Sequence, residues 1–374
     1  MALTKVSAGV LNIDDLYGFR NRLINGDMQI DQRNNGSSLT PTSSETYTID
    51  RFLLEMGAST GHNGTIQRIS DAPTGSGHTF SVRYTAGSTA TWNSSTGWGA
   101  FSQRIEGFNV ADFGWGTASA KPVTLSFWVK ASVAGLYTVN MTHYDGSTER
   151  WNNITYTINN ANTWEQKTLT FVGDASFGIA NDNGTNGWIR LYWHLGDNAG
   201  GAATSTTFNS WFNGTSTRRA AVGSTNVMNT SGRTWQITGV QLETGSVATP
   251  FERRPYGLEL ALCQRYYEVI PCGNESLLGA YTTGNGSRFN ISAIPFAVEK
   301  RAAPAMPVVS PTGQWVVSGV VAVSASTTTA FTPFNMNTRT FTVSVVRNTG
   351  GSTPNNGSIY MWEQSVTFTA SAEF

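Results

Sequence analysis

The chain has 374 residues, and its 24 Lys plus Arg balance 24 Asp plus Glu, so the formal net charge is zero. Only 13% of residues are charged, against about 25% for an ordinary soluble domain, so Ser, Thr, Asn and Gly must carry the polar surface. Sparse, balanced charge excludes the cationic footprint that phosphate binding requires, and nucleic acid is not an expected partner.

No run of ~18 apolar residues occurs, so membrane insertion is not expected. The length allows two or three domains. Aromatics make up 11% of the chain and include 12 Trp. The two cysteines, Cys263 and Cys272, admit either a disulfide or two buried thiols. They are too few for a metal site or a disulfide scaffold, and assembly in a reducing cytosol follows.

Residues 1–20 form a lead-in with no apolar core of the length a secretory signal needs. Ile13-Asp-Asp-Leu-Tyr-Gly-Phe fits one or two helical turns with Asp14 and Asp15 at the start. The segment reads either as a disordered arm or as an adaptor that docks on a partner or bundles with copies of itself.

From residue 21 the rhythm is that of strands. Arg22 to Asp31 carries Leu23, Ile24, Met28 and Ile30 and is predicted as the first strand, closed by Asn34-Asn-Gly-Ser-Ser. Tyr47 to Met56, Thr65 to Ile69 and Thr79 to Tyr84 follow. Phe80, Val82 and Tyr84 alternate with polar residues at the period of a half-buried strand. Phe101 to Glu106, Val123 to Lys130, Leu136 to Met141, Ile154 to Ile158, Thr168 to Val172 and Trp188 to Leu195 continue it. Short strands punctuated by Gly, Asn and Asp turns, with almost no helical periodicity between 21 and 235, predict an all-β fold, a β-sandwich of jelly-roll type. Ala199 to Asn229 is Gly/Ser/Thr-rich, holds Trp211-Phe212, and is long enough to be a contact-bearing surface loop.

Trp235 to Glu268 is the joint of the chain. Trp235, Ile237, Val240 and Leu242 read as a strand with a break at Thr238-Gly239. Pro250 and Pro255 then fix an extended connector. Leu258 to Tyr267 follows at helical spacing. Residues 269–374 are β again, with strands around Phe289–Ile294, Gln314–Val317, Phe341–Val346 and Ser365–Thr369, and a small-residue run from Gly319 to Phe331. Few large core residues in about 100 positions suggest burial completed by association of several copies.

Several phrases together carry a resemblance. Arg20-Asn-Arg-Leu-Ile-Asn-Gly-Asp-Met-Gln-Ile, Gln103-Arg-Ile-Glu-Gly, Trp115-Gly-Thr and Leu125-Ser-Phe-Trp-Val-Lys-Ala-Ser belong to the first domain. Ile237-Thr-Gly-Val-Gln-Leu-Glu-Thr-Gly, Ala248-Thr-Pro-Phe-Glu-Arg-Arg-Pro-Tyr-Gly and Glu259-Leu-Ala-Leu-Cys-Gln-Arg-Tyr-Tyr belong to the joint. As a set they resemble bacteriophage fibre and tail-fibre-like virion proteins. The opening Met1-Ala-Leu-Thr-Lys-Val is similar to the virion-anchoring start of some fibres.

The resemblance implies four parts: a virion-attachment segment (1–20), a jelly roll similar to carbohydrate-binding modules (21–247), a connector with a short helix (248–268), and a C-terminal β domain for oligomerisation or the tip (269–374). It also implies a homotrimer, localisation on the virion, and first and last jelly-roll strands lying side by side. Modules of that kind often hold a structural calcium ion between those strands. The matching positions are Asp27 and Glu243, with Gln241 where such modules can have a carboxylate. The alternative is that both acids accept hydrogen bonds at strand ends, and no other cofactor is expected. The loops 91–98, 182–188 and 199–229 match no motif of the family, so no particular glycan carries over.

Glycan cleavage would need two opposed carboxylates. Glu106, Asp112, Asp145, Glu149, Glu165, Asp174, Asp182 and Asp197 are dispersed, as are His62, His78, His143 and His194. There is no Gly-x-Ser-x-Gly phrase, so an enzyme is not expected.

Sugar binding needs flat aromatic platforms beside amides, carboxylates or Arg. Trp92, Trp98, Tyr144, Trp151 and Trp188 lie in such neighbourhoods and are the candidate carbohydrate-binding residues, with packing between loops or subunits as the competing role. Trp128 and Trp164 are expected in the core. Arg253-Arg254 is expected to pin the connector to carboxylates or to a neighbouring subunit. Leu258, Leu262 and Tyr266 are the candidate oligomerisation residues, facing an assembly axis.

The expected function is non-catalytic attachment of a virion fibre to host-surface polysaccharide, with other virion proteins bound through the N-terminal segment. The alternatives are a head, neck or tail decoration protein that binds no receptor and, from the enzyme class, a polysaccharide depolymerase.

Overall fold

The computed structural model describes residues 19–374 apart from 42, 58, 61–62, 88–90, 93–96, 198–207, 215–219, 273–276, 284–287, 308–313, 319–325, 348–356 and 362–365. Side chains at 59–60, 91–92, 197, 272, 277–283, 288–293, 314–318, 326–331, 344–347, 357–361 and 366 are also left undescribed. The chain divides into two units, Met1–Pro255 with Phe374, and Tyr256–Glu373. The expected attachment segment lies outside the described residues up to Gly18.

In chain order the first unit holds β1 (Glu45–Ile49), β2 (Phe52–Gly57), β3 (Ser59–Thr60), β4 (Thr65–Ile69), β5 (Ser81–Thr85), β6 (Thr91–Trp92) and β7 (Trp98–Glu106). Then come β8 (Val123–Ala131), β9 (Gly135–Tyr144), β10 (Glu149–Ile158), β11 (Glu165–Phe171), β12 (Trp188–Asp197), β13 (Phe212–Asn213) and β14 (Thr234–Thr244). They build two antiparallel sheets, one of seven strands in the order β1-β2-β7-β12-β9-β10-β13 and one of five in the order β11-β8-β14-β5-β4. The fold is an all-β sandwich.

Alternation decides which residues meet between the sheets. On β12, Ile189, Leu191, Trp193 and Leu195 are buried in the core, with Phe101 and Ile105 from β7 and Tyr137, Val139 and Met141 from β9. Val123, Leu125, Phe127, Val129 and Ala131 of β8 come up from the other sheet. The aromatic rings interlock there: Phe52 stacks on Phe101 at 4.9 Å, and Trp193 meets Phe127 edge-on at 5.9 Å. Fully burying a side chain of this size removes it from water at a gain of about 1.5–3 kcal/mol.

β14 keeps this arrangement by changing phase. Trp235 and Ile237 point inward, and so do Val240 and Leu242, although the two pairs differ in parity. A bulge between Thr238 and Gln241 absorbs the extra residue, and Gly239 has φ +60° there. The apparent break in the sequence pattern is this bulge. A Cβ at Gly239 would also lie 2.5 Å from His78, so both backbone and space require glycine.

Three expectations need correction. Arg22 to Asp31 forms no strand. Asn25 and Met28 have positive φ, and the segment runs beside β14 on hydrogen bonds from Arg22 N to Leu242 O (2.8 Å) and Val240 N to Gly26 O (2.9 Å). The Asn21 side chain stands in for a missing peptide group, donating to Val240 O and accepting from Leu242 N. The start and the last strand do lie side by side, but by side-chain mimicry. Tyr47 to Met56 is a hairpin, because Asp50 and Arg51 (φ 72°) turn the chain between β1 and β2. Trp128 and Trp164 are half-buried outside the core: Trp128 is on the outer face of β8, and Trp164 donates to Asp71 Oδ1 (3.3 Å) beneath Lys130.

The second unit opens with α1 (Tyr256–Gln264) and β15 (Tyr267–Cys272). β16 (Leu277–Thr283), β17 (Arg288–Pro295), β18 (Gln314–Ser318), β19 (Ser326–Phe334), β20 (Thr340–Arg347), β21 (Gly357–Met361) and β22 (Val366–Ser371) follow. β16-β17-β20-β19-β18-β21 close into a barrel, and β15 pairs with β22. Closure answers the strand edges within one chain.

Of the three candidate oligomerisation residues, Tyr266 lies past the end of α1 and is fully buried within its own unit, so it does not face outward. Leu258 is 39% exposed, and Leu262 is half-buried. Cys263 is buried, and the side chain of Cys272 lies outside the described residues.

Candidate functional site

Because β12 buries its odd-numbered residues, Trp188, Arg190, Tyr192 and His194 stand on the outer face of the seven-stranded sheet. By the same parity β7 places Trp98, Ala100, Ser102, Arg104 and Glu106 there, β9 places Asn140, Thr142 and Tyr144, and β10 places Trp151 and Asn153. Four of the five candidate carbohydrate-binding residues, distant in sequence, therefore share one face. The fifth, Trp92, has its backbone in β6 paired to β3, and its side chain lies outside the described residues.

The middle of the face is an ion cluster. Glu45 of β1 and Glu55 of β2 are cross-strand partners. Arg190 Nη2 lies 2.5 Å from Glu55 and 3.6 Å from Glu45, and Ser102 Oγ also donates to Glu55. Glu55 is 3% exposed. Burial pushes its carboxyl above the usual range, against the opposing pull of Arg190 and Ser102. Burial disfavours the charge of Arg190 as well, but Tyr192, Glu55 and Glu45 outweigh it and raise its pKa. These residues were not singled out from the sequence. The signal was present in Trp188-Ile-Arg-Leu-Tyr-Trp-His-Leu, whose alternation puts Arg190 beside Trp188 and Tyr192.

At one end the aromatic residues are spent on packing. Trp151 is 3% exposed and stacks on Tyr192 at 5.7 Å and 10°. A Cβ on Gly214 would fall 2.1 Å from its indole nitrogen, so the segment after β13 closes over it. Trp151 thus departs from the expected ligand platform and acts as a layer of the fold. Trp98 is half-buried, edge-on to Tyr192 at 6.0 Å and next to His194.

At the other end a row crosses three strands. Arg104 of β7 lies over the Trp188 ring at 5.0 Å, and Tyr144 of β9 stacks on Trp188 at 5.5 Å and 23°. Phe374 lies on Arg104 at 5.2 Å. Arg104, Trp188 and Tyr144 are all half-buried. Among the described residues, none accepts a hydrogen bond from the Arg104 guanidinium, the Trp188 N–H or the Tyr144 hydroxyl. Burial, and then the neighbouring charge of Arg190, lower the Arg104 pKa.

The loops at this end are self-contained. Asp182 accepts from the N–H groups of Gly184, Asn186 and Gly187 at 2.7–3.1 Å, and Asp145 accepts from Ser147 N and Thr148 N at 2.8 and 2.7 Å. Burial is the largest single influence on each carboxyl and pushes upward, but the donors together outweigh it and hold both below the usual range.

The candidate calcium ligands are already occupied. Asp27 pairs with His78 Nδ1, Gln29 Nε2 (2.7 Å) and Arg253 Nη1 (3.1 Å). Glu243 accepts from Gln241 Nε2 (2.9 Å), Thr249 N (2.9 Å) and Thr249 Oγ1 (2.6 Å). A cation would face donors rather than free oxygens, and no group of three His, Cys, Asp or Glu suited to a metal occurs among the described residues.

Glu243 instead belongs to a clasp at the outer face of β14. Glu252 accepts from Arg20 N (3.3 Å) and Asn21 N (2.8 Å), and Gln241 Oε1 accepts from Glu252 N (2.7 Å). Arg254 donates to the carbonyls of Asn21 and Leu23, with Leu23 at 3.1 Å. Arg253 and Arg254 therefore pin the connector as expected, each to partners within the first unit.

No family model and no curated protein matches the chain. Among solved structures it is similar to the enzymatically active domain of tailspike protein 4 from bacteriophage CBA120, with TM-score 0.33 and 14% identity over 60% of this chain. That match covers 21% of the tailspike structure's length. It is also similar to TmCBM61 in complex with beta-1,4-galactotriose, with TM-score 0.28, 10% identity, and coverage of 60% of this chain and 99% of that one. The family 11 carbohydrate-binding module of a Clostridium thermocellum cellulosomal cellulase gives TM-score 0.27 and 12% identity, covering 57% of this chain and 98% of that one.

Proposed function

We propose that the first unit is a non-catalytic glycan-binding module, carried on a homotrimeric fibre or fibre-like appendage of a phage virion. Residues 1–20 attach it to other virion proteins, and its ligand is host-surface polysaccharide. The observation that carries glycan binding is the gathering of Tyr144 and Trp188, both half-buried, with Arg104 on one outer sheet face, while Trp98 stands at the far end of that face. Rings and fixed polar donors side by side are what a pyranose needs, its C–H faces packing on the rings and its hydroxyls bonding the polar groups.

Adhesion without cleavage fits the burial of Glu55, the carboxylate most tightly held by the ion cluster of the face. A general acid has to reach the glycosidic oxygen, but Glu55 is 3% exposed and held by Arg190 and Ser102. The virion role rests on the set of fibre-like phrases in the sequence. Several copies per virion would turn individually weak sites into firm attachment.

Purified full-length chain should bind host cells or a host glycan array saturably, without releasing reducing ends. Absence of binding to every host glycan would make it a decoration protein, and sugar release would make it a depolymerase. Light scattering should give three times the 40.3 kDa chain mass. A monomer mass would count against the trimer.

A further inference from the structure

The row Arg104–Trp188–Tyr144 combines two facts. It is half-buried on the face just assigned to glycan, and it offers hydrogen-bond donors that nothing among the described residues uses. Arg and Trp can only donate, and Tyr can do both. Ordinary sugar hydroxyls are donors and acceptors at once, and a neutral-sugar site usually mixes both kinds. A strip of donors matches a group that only accepts. Arg104 adds a fork of N–H groups suited to bidentate oxyanions.

Glu55 acts on Arg104 through its charge, but no carboxylate among the described residues accepts a hydrogen bond from the Arg104 guanidinium. Glu45 and Glu55 lie against Arg190, and Asp145 and Asp182 are turned to the N–H groups of their own loops.

Resting on the glycan-binding reading, we propose that the site selects acidic glycans and that Arg104 binds the carboxylate of a uronic or other acidic sugar. Tyr144 and the Trp188 N–H supply further donors to the same residue of the chain. No bond is made or broken.

The test uses full-length protein on a panel of acidic polysaccharides, each paired with its carboxyl-reduced neutral form. Binding should follow the acidic member of a pair, and Arg104→Gln should weaken it about tenfold or more, the worth of a charge-assisted hydrogen bond. Arg104→Lys should recover part of the loss. Tyr144→Phe, which keeps the ring and removes one hydroxyl, should cost a few-fold and serves if Arg104→Gln does not fold. Equal binding to acidic and reduced forms, or an undiminished Arg104→Gln, overturns acid selection and leaves glycan binding standing. Binding to neither form across the panel overturns both.

Discussion

On the outer face of the five-stranded sheet, polar side chains meet polar side chains: Gln241, Glu243 and Asn21 are answered by Thr249, Glu252 and the backbone of the connector. On the outer face of the seven-stranded sheet, Arg104, Trp188 and Tyr144 stack on one another and leave their donors unanswered among the described residues. Both faces come from the same alternation of strand residues. The difference is what lies over them. Satisfied buried polar groups add stability, whereas unsatisfied donors at a half-open edge add little until a ligand arrives. One face thus joins the two ends of the unit, and the other keeps its hydrogen-bonding capacity for something outside the chain.

The contrast can be broken most forcefully at the clasp. Glu252→Ala removes the acceptors of Arg20 N and Asn21 N and undoes the footing of Arg254. Stranding donors of this kind costs about 2–3 kcal/mol. Denaturant unfolding should show a loss of that size while glycan affinity per folded molecule stays unchanged. A matching loss of affinity would mean that the two faces are not separable.

Trp188→Ala should do the reverse. It takes the middle from the row and should abolish measurable binding or weaken it at least tenfold, as central aromatic residues do in other interfaces. Its cost in stability should be below that of the clasp variant, since the ring is half-buried. Calorimetric binding and thermal unfolding on the same preparation check both halves.

Acid separates the faces by sign. Burial raises the pKa of Glu55, so its protonated form favours the fold, and that contribution is lost as pH rises through the elevated value. On the five-stranded side, burial pushes Asp71 up but its bonds from Lys130 and Trp164 win and lower its pKa. The contribution of Asp71 is present above about pH 4 and fades as pH falls further. Carboxyl carbon NMR titration should place Glu55 above, and Asp71 below, the normal range for its type. Two shifts of the same sign would remove the electrostatic side of the comparison.

Much of this arrangement is legible in the residues. Ile189, Leu191, Trp193 and Leu195 declare one side of β12, and the intervening Trp188, Arg190, Tyr192 and His194 declare the other. Strand alternation was enough to put Trp98, Tyr144 and Trp188 on a common face once the sheet order was known. The order itself is non-local: β7, β12 and β9 are neighbours although more than forty residues separate some of their members. For the same reason Glu55 and Arg190 could not be paired from the sequence.

The entry segment misled through its composition. Leu23, Ile24, Met28 and Ile30 look like a strand, yet Asn25 and Met28 adopt positive φ and the Asn21 amide replaces the ladder. Asp27 and Glu243 were visible as acids near the start and the end of the first unit, but what saturates them, Arg253 and Thr249, comes from the connector that follows β14.

The smallest expected effect is at Trp128, and it is the sharpest control. This indole is half-buried on the outer face of β8, packed near Gly239 and the connector side of the sandwich. By residue type alone it is as good a sugar platform as Trp188. By position it is not, because it stands on the five-stranded sheet beside Thr238, apart from the row of Arg104, Trp188 and Tyr144 on the other sheet. Trp128→Ala should leave glycan affinity within about twofold, since no part of the row on the other sheet touches it, and should cost only about 1 kcal/mol of stability, in the ordinary range for a partly buried substitution. Titration of the variant beside Trp188→Ala decides whether binding follows the face or merely the number of tryptophans. A loss at Trp128 equal to that at Trp188 would place a second ligand contact on the five-stranded sheet and end the division of labour between the two faces.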